Sequence, residues 1–362
     1  MQLHIIEPTL NHPSGHCFTI VHALAKAAHA AMPDLKVHAW TGKQFDPESM
    51  ADVPLQIHPY FHRKIRRFQL WGLLRKLCAD EQTVLLPTAG RPELALYSLI
   101  PHRWRQHGDV WFYLHQLRMD GSRAKRLSML ATKIPQANIL CTHPSLLDKL
   151  AQAGFQNARV QPCPFEPPVQ AFSDTTFEQL IFPGEARVDK NLPFIHELLR
   201  HLKAVDANIP VMIQAGPNHH GIFSDTIRKI LSDIQALNYA HLDMPQCSLA
   251  GDHYLQQFAG GICLQPYQTG DYASKISGIT LDALTRGCPC IAQKGTWPAE
   301  VVDEFQAGIV CENQDVAEWT AAIRQVIDHY PLYQQGCVRA MMALSERHHP
   351  LRTLETILGD QA

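Results

Sequence analysis

"GICLQPYQTGDYASKISGITLDALTRGCPCIAQ", residues 261–293, reads as a strand, a loop, a helix and a second strand. The apolar run into Tyr267 suits a strand buried on both faces, and "CPCIAQ" suits another. Between them a helix is predicted from about Ser277, with Ile279, Leu281, Ala283 and Leu284 as its core stripe. A strand, a helix and a strand in that order form a parallel crossover, the unit of a doubly wound α/β sheet. A helix serving only a core gains nothing from Lys275 or Gly278. Its unpaired N–H groups and positive end face the carboxyl end of the preceding strand, a place for a small anion.

Outward from this unit the alternation continues. "QLIFPG", a helix from Asn191 to about Val205, "IPVMIQAG", "DTIRKILSDIQAL", "HLDMP", "PAEVVDEF", "GIVCE" and "VAEWTAAIRQVI" give one doubly wound, Rossmann-like domain over residues 177–335. The first half does the same with "LHIIEP", "KVHAW", "LQIHPYF", "TVLLPTAG", "DVWFYLH", "NILCTH" and "ARVQPCPF", giving a domain over residues 1–165. Prolines cluster at 161–174, which propagates neither helix nor ladder, so residues 166–176 read as a linker. Residues 336–362 carry helical patterns broken at Pro350.

At 362 residues the chain is long enough for two cores. Lys and Arg total 32 against 34 Asp and Glu, so no global field steers it to nucleic acid, and any anion site is local. The ten cysteines show no CxxC pair and read as buried thiols of a reducing compartment. No apolar run reaches the roughly 18 residues of a membrane span, and the start lacks a signal-peptide pattern, so the sequence reads as a soluble cytoplasmic protein.

Several residues converge on the second domain's strand ends. Ser277 can cap the helix, Gly278 lets a ligand approach the backbone, and Lys275 supplies a cation. Gly278, Asp282 and Thr285 share a face, which puts the Asp282 carboxylate one turn beyond the anion, where it can accept hydrogen bonds from a ribose. The plain alternative is a simple helix start with a solvated Asp282. "FPGEARVDKNLPF", residues 182–194, adds Arg187 and Lys190 at another strand end, and "IQAGPNHHG", residues 213–221, adds Gly216.

From about residue 178 to 330 the sequence resembles the C-terminal domain of bacterial glycosyltransferases of GT-B architecture, the retaining family four or "glycosyl transferases group one". One family loop is matched by Gly184, Arg187, Lys190 and Asn191. A second is matched by Pro266, Tyr267, Lys275, Ser277, Gly278, Leu281, Asp282, Ala283, Leu284, Gly287 and Pro289, with Trp297 and Glu300 following. The resemblance implies two Rossmann-like domains facing a central cleft and a nucleotide diphosphate sugar as donor. It implies that Arg187 and Lys190 act at the leaving diphosphate, that Gly184, Gly216, Tyr267, Lys275, Ser277 and Gly278 bind the donor, and that Asp282 meets the ribose. Ser274 stands where the family carries a first acid. The protein cations take a metal's place, no DxD motif is present, and neither a metal nor a cofactor is expected.

The acceptor half resembles the family less. "PTLNHPSGHCFT", residues 8–19, places Gly15 at the donor phosphates and His16 at the acceptor, or forms only a turn. Pro13 and Gly15 rule against a helical two-histidine site at His12 and His16. "DVWFYLHQLRMDG", residues 109–121, ends a strand at His115, which matches a family histidine that meets the sugar or manages an acceptor proton, or is a satisfied strand-end histidine. Asp120 is an acceptor contact or a helix cap. Residues 61–78 mix Phe61, Ile65, Phe68 and Leu77 with Arg63, Lys64, Arg66, Arg67, Arg75 and Lys76. That pattern suits peripheral contact with the inner face of an anionic membrane, and a solvated helix face accounts for the same charges. The implied acceptor is a glycan or a lipid-linked sugar, in surface polysaccharide or lipopolysaccharide synthesis. A nucleotide-sugar epimerase of the same fold, or a catalytically silent binding module of a glycan assembly, are the alternatives. The last helix is expected to return to the N-terminal domain.

Overall fold

The computed structural model describes every residue except 118, 167, 169–171, 173–174, 206, 218–221, 248, 250 and 360–362. Much of the expected linker therefore lies outside the described residues. The chain divides into two compact units, Met1–Glu166 with Arg347–Ala362, and Pro167–Glu346.

The strands of the first unit are β1 (Gln2–Glu7), β2 (Lys36–Gly42), β3 (Gln56–Phe61), β4 (Thr83–Ala89), β5 (Asp109–Leu114), β6 (Asn138–Cys141) and β7 (Ala158–Val160). Its helices are α1 (Gly15–Ala31), α2 (Arg66–Ala79), α3 (Arg91–Ser98), α4 (His102–Arg105), α5 (Gly121–Lys133) and α6 (Pro144–Ala153). The sheet is parallel throughout, in the order β3-β2-β1-β4-β5-β6-β7. Val110 to Leu114 of β5 are all buried, as a central parallel strand covered by helices on both faces requires. Pro59 sits in β3, an edge strand, where a missing ladder donor is tolerated. The order reverses at β1/β4, so the crevice for a ligand opens at the carboxyl ends of these two strands.

The second unit contains β8 (Gln179–Phe182), β9 (Val211–Ile213), β10 (Leu242–Asp243), β11 (Gly261–Gln265), β12 (Cys290–Gln293) and β13 (Gly308–Cys311). Its helices are α7 (Leu192–Ala204), α8 (Asp225–Ala236), α9 (Gly251–Gln256), α10 (Thr269–Tyr272), α11 (Gly278–Leu284), α12 (Trp297–Phe305), α13 (Val316–Asp328) and α14 (Tyr330–Arg347). This sheet too is parallel, ordered β10-β9-β8-β11-β12-β13, with its reversal at β8/β11. Helix α7 buries Leu192, Ile195, Leu198, Leu199 and Leu202, the spacing of one apolar face. Each unit has its own core, one around Phe112, Leu86 and Ile139, the other around Phe182, Leu264 and Trp319.

The sequence boundary at 336 is displaced. Helix α14 runs unbroken through Gly336, whose Cβ position is only 2.2 Å from the Gln306 carbonyl oxygen, so a side chain there would prevent the helix from closing on the α12 end. The break comes instead at His348 and His349, ahead of α15 (Pro350–Leu358), with Pro350 at its first turn. Helix α15 belongs to the first unit and packs on α1. His348 Nδ1 donates to the Cys163 carbonyl at 2.8 Å, and Thr356 Oγ1 lies 3.0 Å from Gln161 Oε1. Among the described residues no helix is long and apolar enough to cross a membrane.

Candidate functional site

In the second unit the loops after β8 and β11 meet at the sheet's reversal. The backbone N–H of Gln268 donates to the Asp189 carbonyl at 3.1 Å, stitching one loop to the other. Arg187 Nε donates to Asp189 Oδ1 at 2.8 Å, its NH2 group bonds the other carboxylate oxygen, and Lys275 Nζ lies 3.6 Å from that same oxygen. Lys275 also stands over the Tyr272 ring at 4.4 Å. Asp189 thus holds two cations side by side. Burial works to raise its carboxyl pKa, but the bond from Arg187, with Lys275 and Lys190 adding, pulls it below the usual carboxylate range.

Lys190 is 6% exposed and donates to the Pro183 carbonyl at 3.2 Å. Burial, then the neighbouring Arg187 charge, bring its pKa down to about 8. Gly184 has φ +89°, and a Cβ there would sit 2.7 Å from Lys190 Nζ and 2.9 Å from Ile279 Cδ1. The glycine therefore makes room for the lysine. Asn191 caps α7 in a left-handed conformation, and its buried Nδ2 has no hydrogen-bond partner among the described residues. Gly216 joins the loop through a bridge to Glu185.

The remaining donor candidates divide. Gly278 is exposed with open space at its Cβ position, which leaves room for a close approach. Ser277 Oγ accepts from Thr280 N at 3.3 Å, so it caps α11. Asp282 already accepts from the Tyr254 hydroxyl at 2.9 Å and pairs with Arg286 at 3.2 Å, and burial raises its carboxyl pKa against both partners. The plain alternative of a solvated charge does not describe it. Tyr267 is corrected from a donor contact to a core residue, because it is 1% exposed with its ring 4.3 Å from that of Tyr272.

In the first unit, Gly15 opens α1 with φ +80° and His16 follows it. His16 Nε2 stands 3.3 Å from His115 Nδ1, across 99 residues of sequence. His115 Nε2 lies 2.6 Å from the Pro87 carbonyl, which can only accept, so Nδ1 of the neutral ring carries the lone pair. Burial, reinforced by His16, holds the His115 pKa at about 3. The lowered pKa disfavours the proton-managing role among the readings of His115 and agrees with a hydrogen-bonding one. His115 is a neutral, fixed ring. Asp120, read as an acceptor contact or a helix cap, is the N-cap of α5, its Oδ1 accepting from Arg123 N at 3.0 Å while Oδ2 pairs with the Arg123 side chain.

No family model matches the chain, and no curated protein matches its sequence. Its fold is matched end to end. HepE of Anabaena, solved with UDP and glucose, superposes at a TM-score of 0.70 with 12% identity over 99% of both chains. Sucrose-phosphate synthase of Thermosynechococcus elongatus gives 0.71 with 14% identity over the full length of both. The lipopolysaccharide glycosyltransferase WaaG gives 0.65 with 12% identity over 99% of this chain and 100% of its own. The chain has the GT-B fold. Its two parallel α/β units are the two halves of that fold, and the Arg187, Lys190 and Lys275 cluster lies in the C-terminal GT-B half.

Two features of this GT-B chain escape a reading of its sequence. Asp189 is one, since the charge that organises the cations looks in sequence like a neutralising neighbour. Glu7 is the other. It ends β1, is 1% exposed, and accepts from Thr9 N at 3.1 Å and from the hydroxyls of Thr9 and Thr88. With Arg66, Arg67 and Glu93 it lines a crevice at the β1/β4 reversal. A charge ending the apolar run "LHIIE" was the available signal.

Proposed function

We propose that this chain is a glycosyltransferase that moves a sugar from a nucleoside diphosphate sugar, UDP-linked by analogy with HepE, to an acceptor hydroxyl. The observation that carries the reading is the Asp189-organised cluster of Arg187 and Lys275 beside the buried Lys190 at the β8/β11 reversal. When the bond between the sugar's anomeric carbon and the diphosphate breaks, negative charge grows on the departing oxygens. Cations already held in place stabilise it without reorganising. The orphaned Asn191 amide offers a further donor in the same loop.

The transfer retains configuration in this reading. The acceptor oxygen forms its bond to the anomeric carbon on the face the diphosphate leaves, and the departing phosphate oxygen takes the acceptor's proton. That step asks no histidine to titrate, which fits a His115 held neutral; His115 then serves as a hydrogen-bond acceptor and His16 as an acceptor-side contact. Asp282 orients the ribose through whatever lone pairs Tyr254 and Arg286 leave. No metal enters the transfer. A lipid-linked or glycan acceptor of surface polysaccharide synthesis is supported by α2 and the residues before it. Ile65 and Phe68 are 49% and 80% exposed among exposed Arg63, Lys64, Arg66 and Arg67, a face suited to the cytoplasmic side of an anionic membrane.

A panel of nucleotide sugars tests the reading by thermal shift and by free nucleotide released. Selective stabilisation with release is expected. Inversion at C2 of the sugar would make the chain an epimerase, and silence toward every donor would remove the function altogether.

A further inference from the structure

We propose that His16, His115 and Cys163 of the first unit form a binding site for a borderline-soft divalent ion, Zn2+ in the first place. Among the described residues this is the one trio of potential ligand side chains with its donor atoms all within 4.8 Å of one another. The two histidine nitrogens stand 3.3 Å apart. Tetrahedral zinc with bonds of about 2.1 Å to nitrogen and 2.3 Å to sulfur places neighbouring ligand atoms roughly 3.4–3.6 Å apart, so the trio needs only a small closure around the ion. Two imidazoles and a thiolate are a donor set for zinc, not for magnesium or calcium.

The surroundings are those of a built site. His115 donates its second ring N–H to the Pro87 carbonyl at 2.6 Å, the outer contact that fixes the tautomer of a metal-ligating histidine and directs the other nitrogen to the ion. Cys163 is 3% exposed between two prolines, and its carbonyl is held by His348 Nδ1 at 2.8 Å. Phe165 N donates to the His348 carbonyl at 3.0 Å, fixing the same stretch from its other side. His16 is exposed and leaves the fourth position of the ion to water or an incoming ligand. On binding, His16 moves its ring proton to Nδ1, His115 keeps the proton on Nε2, and Cys163 gives up its thiol proton to solvent. The balance is one proton released for each ion bound.

The site stands apart from the glycosyltransferase reading. If that reading holds, an ion on His115 Nδ1 also occupies the acceptor side, and zinc acts as an inhibitor. The experiment is therefore read without activity. The full chain is titrated with Co2+ and then with Zn2+, by absorbance and by calorimetry in buffers of different ionisation heat. One ion per chain, strong tetrahedral cobalt bands, a thiolate-to-cobalt charge-transfer band and release of one proton are expected. His16→Ala, a change at an exposed position, should weaken zinc by more than the roughly 10–100-fold typical of losing an outer-sphere partner and should abolish the tetrahedral bands. Cys163→Ser should remove the charge-transfer band, and Cys247→Ser, at an exposed cysteine, should leave it intact. Absence of binding, bands that survive in His16→Ala, or a charge-transfer band lost with Cys247 would each overturn the site.

Discussion

The two sheets have the same parallel, reversing topology, yet their strand ends carry opposite chemistry. In the second unit the reversal gathers Arg187, Lys190 and Lys275 around Asp189. In the first, the strand ends offer His115, held neutral and in contact with His16, and a buried Glu7 satisfied by threonine hydroxyls. A parallel sheet thus supplies a place for a ligand but not its charge. The loops decide that. One half presents a cluster of cations, the other an uncharged ring and a carboxylate already met by hydroxyls.

The largest effect that could break this contrast is at Arg187. Arg187→Ala removes one cation and leaves Asp189 beside Lys275, and should cost about 10²–10³-fold in turnover, the range for losing one preorganised donor to a developing anion. Arg159, whose guanidinium lies 5.0 Å over the Trp111 ring in the first unit, is the control. Arg159→Ala should leave nucleotide release unchanged. Equal losses in both variants would show that overall charge, not the Asp189 cluster, governs donor binding.

Next in size is a pH effect. Lys190 has its pKa lowered to about 8 by burial, so it is charged below that pH and neutral above it. A diphosphate binds the charged form, so the donor KM should stay level below about pH 8 and then climb by up to about tenfold per unit. Calorimetry above that pH should record uptake of a proton on binding. A KM flat to pH 9 with no uptake would take Lys190 out of the phosphate site. Nothing comparable is expected from the first unit, because His115 stays neutral at every working pH.

Much of the fold was legible because apolar runs and helical spacing are local. The helix after Asn191 stands as the pattern predicts, and the final break falls just ahead of Pro350, which opens α15. What failed was partnership across the chain. Asp189 acquires its role only when β8 and β11 become neighbours, and His16 meets His115 only through the β1-β4-β5 order of the first sheet. Exposure was equally hidden. Phe61 and Leu77 are buried while Ile65 and Phe68, drawn from the same basic segment, face outward. Tyr267 reads as a ligand contact in sequence and is core in the fold, because a polar hydroxyl says nothing about where its ring packs.

The smallest effect separates a cap from a contact. Ser277 and Asp120 both stand at helix starts and both were candidates for touching substrate, and each accepts from the backbone N–H three residues on. Ser277→Ala should cost about 1 kcal/mol of stability, as a lost N-cap does, and shift the donor KM by no more than about threefold. Urea unfolding and donor kinetics on the same preparation decide it. A hydroxyl that also bound phosphate would add to the same loss of stability a rise in KM well beyond that. In that case α11 would present its first turn to the donor with a serine aimed outward, and the charge contrast between the two halves would rest on a hydroxyl as well as on the three cations.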